Sequence, residues 1–117
     1  MNEDTVAAAE QAALGALLLN APGIAPIGRW LRATDFADPW HGQVWSALLE
    51  REAAGEAVDV EAMSQAMVDR LGERLAGRLR VLDLLHVAPM HGRPVVYARM
   101  VLEASLRREI AGQGVLL

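Results

Sequence analysis

One acid and one histidine, Glu10 and His41, are the arrangement in this sequence best suited to moving a proton. A carboxylate that orients an imidazole can serve as general acid–base machinery. That work also needs a nucleophile or a polar cleft, and neither has a signature here. The competing reading is a core-edge imidazole hydrogen-bonded to a carboxylate. The other histidines are His86 and His91, and the spacing of the three fits no metal motif. The chain has no Cys, which removes disulfides, thiol nucleophiles and most zinc sites. It has no G-x-x-x-x-G-K-[ST] loop and no Lys to complete one, so nucleotide hydrolysis by this chain alone is not expected. We therefore assign it no catalytic, cofactor-binding or metal-binding residue.

Trp30, Trp40 and Trp45 could stack bases, as single-strand binders do. That mode needs interleaved cations, and only Arg29 and Arg32 are near. Core packing is the expected role of Trp45, with Trp30 and Trp40 partly exposed. Arg70, Arg74, Arg78 and Arg80 form a loose basic run that reads as a solvated face. Net charge is −4, against the basic balance expected of an independent DNA binder.

The elements that position these residues read as helices. The 117 residues suit one domain, and 53% hydrophobic with 22% charged content excludes disorder. Val, Ile and Thr are sparse, which favours helix over sheet. The spacing predicts a first helix over 4–19, capped by Asp4 or Thr5, with Leu14, Leu17 and Leu18 as its apolar stripe. Glu10 lies one turn before that stripe and needs a partner. A short helix spans 24–31. Asp38 caps a third, with Pro39 at its first position and His41, Val44, Trp45, Leu48 and Leu49 on one face; Gly55 ends it. Asp59 caps a fourth with inner residues Val60, Met63, Met67 and Leu71, ended by Gly72. A fifth over 73–86 carries Leu75, Leu79, Leu82 and Leu85, and Pro89 stops it before the loop "PMHGRP". A sixth over 94–111 is apolar on several sides: Val95, Ala98, Leu102 and Leu106; Val96 and Met100; Tyr97 and Val101. Such a helix is expected to be covered by more than its own domain. Arg107 and Arg108 suit its C-terminal dipole or a partner's acids. The uncapped "GQGVLL" reads as a chain that continues or a tail that docks. The expected fold is all-α: a compact single-domain bundle of about six helices. No secretory signal is visible, and no apolar run is long enough to span a membrane, which points to a cytoplasmic protein.

"AAEQAALGALLLN" at 8–20 resembles the first helix of the N-terminal domain of DnaB-type replicative DNA helicases. "LRATDFADPWHGQVWSALLEREAAGEAVDVEAMSQAM" at 31–67 resembles the family's next signature, through Leu31, Arg32, Asp35, Phe36, Pro39, His41, Val44, Ala47, Gly55, Val58 and Asp59. "VVYARMVLEASLRREI" is similar to its later helix. The fifth helix keeps only the Leu spacing and Pro89 of the usual pattern, and "MHGR" replaces the usual loop, the mark of a divergent paralogue.

The resemblance implies a head to about residue 92, with 94–111 as the first arm of a helical hairpin whose second arm lies beyond this chain. It implies a non-catalytic interaction and oligomerisation domain: a dimer in isolation, a hexamer collar in the full-length helicase. Primase or a helicase loader would be the partner, DNA would be met only indirectly, and ATP and Mg would belong to a C-terminal motor domain. Self-association then falls to Val96, Met100, Leu102, Leu106, Arg107 and Ile110. Glu10, Asp35, Phe36, Asp38, Pro39, His41, Trp45, Gly55 and Asp59 form a structural signature. The alternatives are a stand-alone regulatory adaptor built on this domain and a small single-stranded nucleic-acid binder.

Overall fold

The computed structural model describes residues 2–88 and 93–115. Among these there are six α-helices and no strand: α1 Glu3–Leu19, α2 Ile24–Gly28, α3 Pro39–Ala53, α4 Val60–Leu71, α5 Arg78–His86 and α6 Pro94–Val115. Short 3-10 turns, Ala21–Gly23 and Ala33–Asp35, flank α2. The expectations for Pro89 and His91 lie outside the described residues.

The helices start and stop where backbone chemistry requires. Asn2, and not Asp4 or Thr5, caps α1: its side chain accepts from the Thr5 N–H at 2.8 Å, and Asp4 sits inside the first turn. Asp38 accepts from the Trp40 N–H at 2.9 Å, and Asp59 from the Ala62 N–H at 2.8 Å. The exit of α3 is a left-handed glycine turn. Gly55 sits at φ +71°, its N–H reaches the Glu52 carbonyl, and the Glu56 N–H reaches that of Arg51.

α1 is the central helix, against which α3, α5 and α6 all pack. Leu14, Leu17, Ile24, Leu31, Val44, Trp45, Leu48, Met63, Met67 and Val81 fill the core around it. Val60, Leu49 and Leu71, expected inside, are half-buried at its margin. The closest approach is at Gly15, where an added Cβ would stand 2.2 Å from the Leu84 carbonyl oxygen and 3.1 Å from the Ala88 Cβ. α5 therefore lies directly on the α1 backbone.

Three elements differ from the sequence expectation. α5 begins at Arg78, not Glu73, because Gly77 adopts φ +67° and the Trp40 indole occupies the space a Cβ would need. Its buried side chains are Val81 and Leu84; Leu75 is 66% exposed, Leu79 77% and Leu82 40%. α2 ends at Gly28, three residues early, with Arg29 as its C-cap. α6 runs to Val115, so Arg107 and Arg108 are not in its last turn. The face of α6 that meets α1 is Pro94, Ala98, Val101 and Ala104, while Val95 and Leu102 are half-buried and Leu106 is 46% exposed.

Two glycine substitutions separate these constraints. Gly15→Ala forces α5 off α1 and should cost about 1–3 kcal/mol or more of unfolding free energy. Gly112→Ala, where a Cβ meets nothing within 4 Å, should gain about 0.5–1 kcal/mol. Urea denaturation of both variants measures the difference.

Candidate functional site

The sequence pointed to Glu10 and His41, and the structure joins them. Glu10 is 0% exposed and His41 1%. The His41 Nδ1 lies 2.8 Å from the Glu10 Oε1. Glu10 also accepts from two backbone groups: the Ala37 N–H at 2.6 Å and the Asp38 N–H at 3.3 Å. One carboxylate on α1 thus gathers three N–H donors from the segment that opens α3. No buried side-chain nitrogen or oxygen is left unpaired among the described residues.

Asp38 links the same turn to α5. Its second oxygen accepts from the Arg80 guanidinium at 2.7 Å, and Arg80 lies 4.0 Å over the Trp40 ring. The Trp40 indole N–H donates to the Ala76 carbonyl at 3.1 Å. Burial raises the Asp38 carboxyl's pKa. The Arg80 hydrogen bond, the Trp40 N–H and the charges of His41 and Arg80 together outweigh this and hold it below the ordinary value.

Asp35 links the turn to α6. It accepts from the Arg32 N–H at 2.7 Å and from the Ser105 hydroxyl at 2.7 Å, and Arg108 donates to its carbonyl at 2.8 Å. Phe36 packs beside His41 and Trp45. The Trp45 indole donates to the Leu31 carbonyl at 2.9 Å. Pro39 is exposed at the helix start, and Gly55 and Asp59 lie on the far side of α3, in the turn to α4.

Trp40 is buried, contrary to the expectation of partial exposure, because α5 and Arg80 cover its two sides. With Trp40 and Trp45 both buried and bonded to carbonyls, only half-buried Trp30 could meet a base. Three members of the basic run are engaged: Arg70 with Glu50, Arg78 with Glu73 and Arg80 with Asp38. These features remove the stacking platform a single-strand binder needs. Sequence reasoning missed Arg80, Ser105 and the Arg108–Asp35 bond. No local signal marks them, since their partners lie far away in the chain.

The residues assigned to self-association occupy the outer side of α6. Val96 is 51% exposed, Leu106 46% and Ile110 67%; Arg107 is exposed, and Met100 and Leu102 flank them half-buried. Every residue from Leu106 to Gly112 is exposed. No single described helix is long and apolar enough to cross a membrane.

Comparison with known proteins bears out the resemblance drawn above. The family model for the DnaB-like helicase N-terminal domain matches residues 3–103. The replicative DNA helicase DnaB of Mycobacterium leprae is 34% identical over 109 residues, covering 92% of this chain and 18% of the relative. That of Leifsonia xyli is 33% identical over 108 residues, covering 91% and 23%. The chain thus spans about a fifth of the length of these relatives. The crystal structure of the DnaB N-terminal domain from Mycobacterium tuberculosis superposes with a TM-score of 0.83 at 33% identity, over 92% of this chain and 79% of that one. The domain from Helicobacter pylori, described together with its interactions with primase, gives 0.84 at 17% identity, over 99% and 94%.

The polar cluster generates three predictions. Glu10→Ala strands a buried imidazole and two backbone N–H groups and should cost about 3–5 kcal/mol. Arg80→Ala breaks a solvent-exposed pair and should cost about 1 kcal/mol or less. Chemical denaturation distinguishes them. For Asp38 the folded carboxyl lies below its unfolded value of 3.8. Its stabilisation is therefore complete above that pH and is lost as pH falls through the folded value. Asp38→Asn keeps a competent N-cap but should flatten that part of the acid-unfolding profile, read by circular dichroism from pH 5 down to about 2.

Proposed function

The chain belongs to the family of DnaB-like helicase N-terminal domains, and on that premise we propose that it is the non-catalytic interaction and oligomerisation domain of a replicative DNA helicase. In this reading residues up to about 92 form a head and α6 is the first arm of a helical hairpin. The domain self-associates as a dimer in isolation and builds the collar of a hexamer in the full-length protein. It offers primase or a helicase loader a docking surface and meets DNA only indirectly. ATP and Mg are then the business of a separate C-terminal motor domain, which carries the helicase activity.

The observation that supports this most strongly is the outer side of α6. Val96, Leu106 and Ile110 are exposed on the side opposite Ala98 and Val101, interleaved with Arg99, Glu103 and Arg107. An apolar set broken by charges of both signs suits a specific helix–helix contact better than indiscriminate association. The same residues serve a stand-alone adaptor equally well; the premise of a helicase rests on the relatives.

Sedimentation equilibrium over a concentration series tests the reading. The unmodified chain should behave as a dimer. Leu106→Arg combined with Ile110→Arg should weaken dimerisation at least about tenfold. Because both sites are exposed, the folding stability of the monomer should change by only about 0.5 kcal/mol per site. A chain that stays monomeric at the highest soluble concentration, or a double variant that dimerises as well as its parent, would overturn it.

A further inference from the structure

The arginines are unevenly placed. Arg51, Arg70, Arg78 and Arg80 are ion-paired, and all four lie on α3, α4 and α5. Arg29, Arg32, Arg93, Arg99, Arg107 and Arg108 lie on or beside α6 and in the segment after α2, exposed and without an ion pair among the described residues. The stretches outside the described residues hold no Asp or Glu that could pair with them. Segments 29–35 and 93–109 thus carry six of the eleven arginines, but only Asp35, Glu103 and Glu109 of the fifteen acids. Both oxygens of the Asp35 carboxylate already accept, from the Arg32 N–H and the Ser105 hydroxyl. The Arg108 bond goes to a neutral carbonyl and leaves its charge uncompensated. A chain of net charge −4 therefore presents one positive face.

Two grooves on that face share the Trp30 side chain as a wall. One, of about 290 Å³, is lined by Pro26, Ile27, Arg93 and Val95, among others. The other, of about 620 Å³, is lined by Arg32, Leu102, Leu106, Arg108 and Glu109, among others. Val95 and Leu102, one in each groove, are two turns apart on α6, or about 10 Å along its axis. We propose that these grooves dock an acidic amphipathic helix of a partner protein, with apolar anchors two turns apart on either side of Trp30 and carboxylates facing Arg32, Arg93 and Arg108. Anchors at i and i+7 are what a helix offers a groove of this length. A tryptophan ringed by arginines is the composition in which binding energy concentrates. A single-stranded nucleic acid is matched less well. Its bases need open aromatic faces, whereas the walls beyond Trp30 are aliphatic, and Asp35 and Glu109 in the larger groove repel phosphates. The grooves border the α6 side assigned to self-association and share Leu102 and Leu106 with it, but their occupant does not depend on that reading.

Fluorescence anisotropy with a labelled helical peptide of about 15 residues, built from Glu and Ala with leucines at i, i+4 and i+7, is the test. Saturable binding to the chain is expected, with a change in tryptophan emission that Trp30→Phe removes. The same peptide with its leucines replaced by serine should bind at least about tenfold more weakly, and Arg32→Glu combined with Arg93→Glu should weaken the leucine peptide at least about tenfold. Both arginines are exposed, so circular dichroism of the double variant should match that of its parent. Absence of saturable binding would overturn the proposal. So would equal binding of the serine peptide, or unchanged affinity in the double variant. Tighter binding of an oligothymidylate than of the peptide would assign the face to nucleic acid instead. Loss of dimerisation in the Arg32, Arg93 double variant would assign it to a second copy of this chain.

Discussion

The fold depends on where the Glu10 carboxylate finds its hydrogen bonds. A charge at 0% exposure costs several kcal/mol unless its lone pairs are met. All three donors that meet it, the Ala37 N–H, the Asp38 N–H and the His41 imidazole, come from five consecutive residues. α1 is thereby held in a single register against the start of α3. A one-turn slip would strand the charge, whereas a slip between two purely apolar faces would cost only imperfect packing. The same stretch meets the other needs of a helix start. Pro39 has no N–H to satisfy, Asp38 takes that of Trp40, and the negative charges of Glu10 and Asp38 sit at the positive end of the helix dipole.

With that turn fixed, the other helices are positioned from it. Trp40 carries the reference to α5 through the Ala76 carbonyl, and Gly77 leaves room for its ring. Trp45 carries it back to the segment after α2 through the Leu31 carbonyl. Gly42 lets α3 approach the Ala33 carbonyl, which a Cβ would meet at 2.7 Å. Asp35 carries it to α6 through Ser105 and Arg108. The segment 31–45 thus acts as a hub, and its acids and indoles are joints between helices. That accounts for its dense polar signature without any chemical step.

Much of this was legible in the sequence because it is local. Asp38, Pro39, Gly55, Asp59 and Gly72 mark ends through backbone rules that operate over four residues. The stripe of α1 was legible because its leucines point one way. α5 was misread for a physical reason. Leu75, Leu79 and Leu82 have helical spacing, but the nine-residue helix lying on the Gly15 backbone of α1 buries Val81 and Leu84 and turns Leu79 and Leu82 out, while Leu75 is left exposed in the turn before it. Periodicity names a face without naming which face is covered. The pairing of Glu10 with His41 could be suspected from two inward-facing polar residues. The Asp38–Arg80 and Asp35–Ser105 contacts span 42 and 70 residues and have no local signature.

α6 shows why hydrophobic content alone cannot assign a face. Its inner side is built from Ala98, Val101 and Ala104, its outer side from Val96, Leu106 and Ile110. A helix selected only to complete the head would place its largest apolar groups inward, since burying each would contribute about 1.5–3 kcal/mol. Here the buried groups are two alanines and a valine. The large groups are left where the head cannot use them. They are interleaved with Arg99, Glu103 and Arg107, a pattern that suits the helix–helix contact proposed above. Tight packing on one side and withheld burial on the other is the physical ground for reading α6 as an arm for association, not as the last layer of the core.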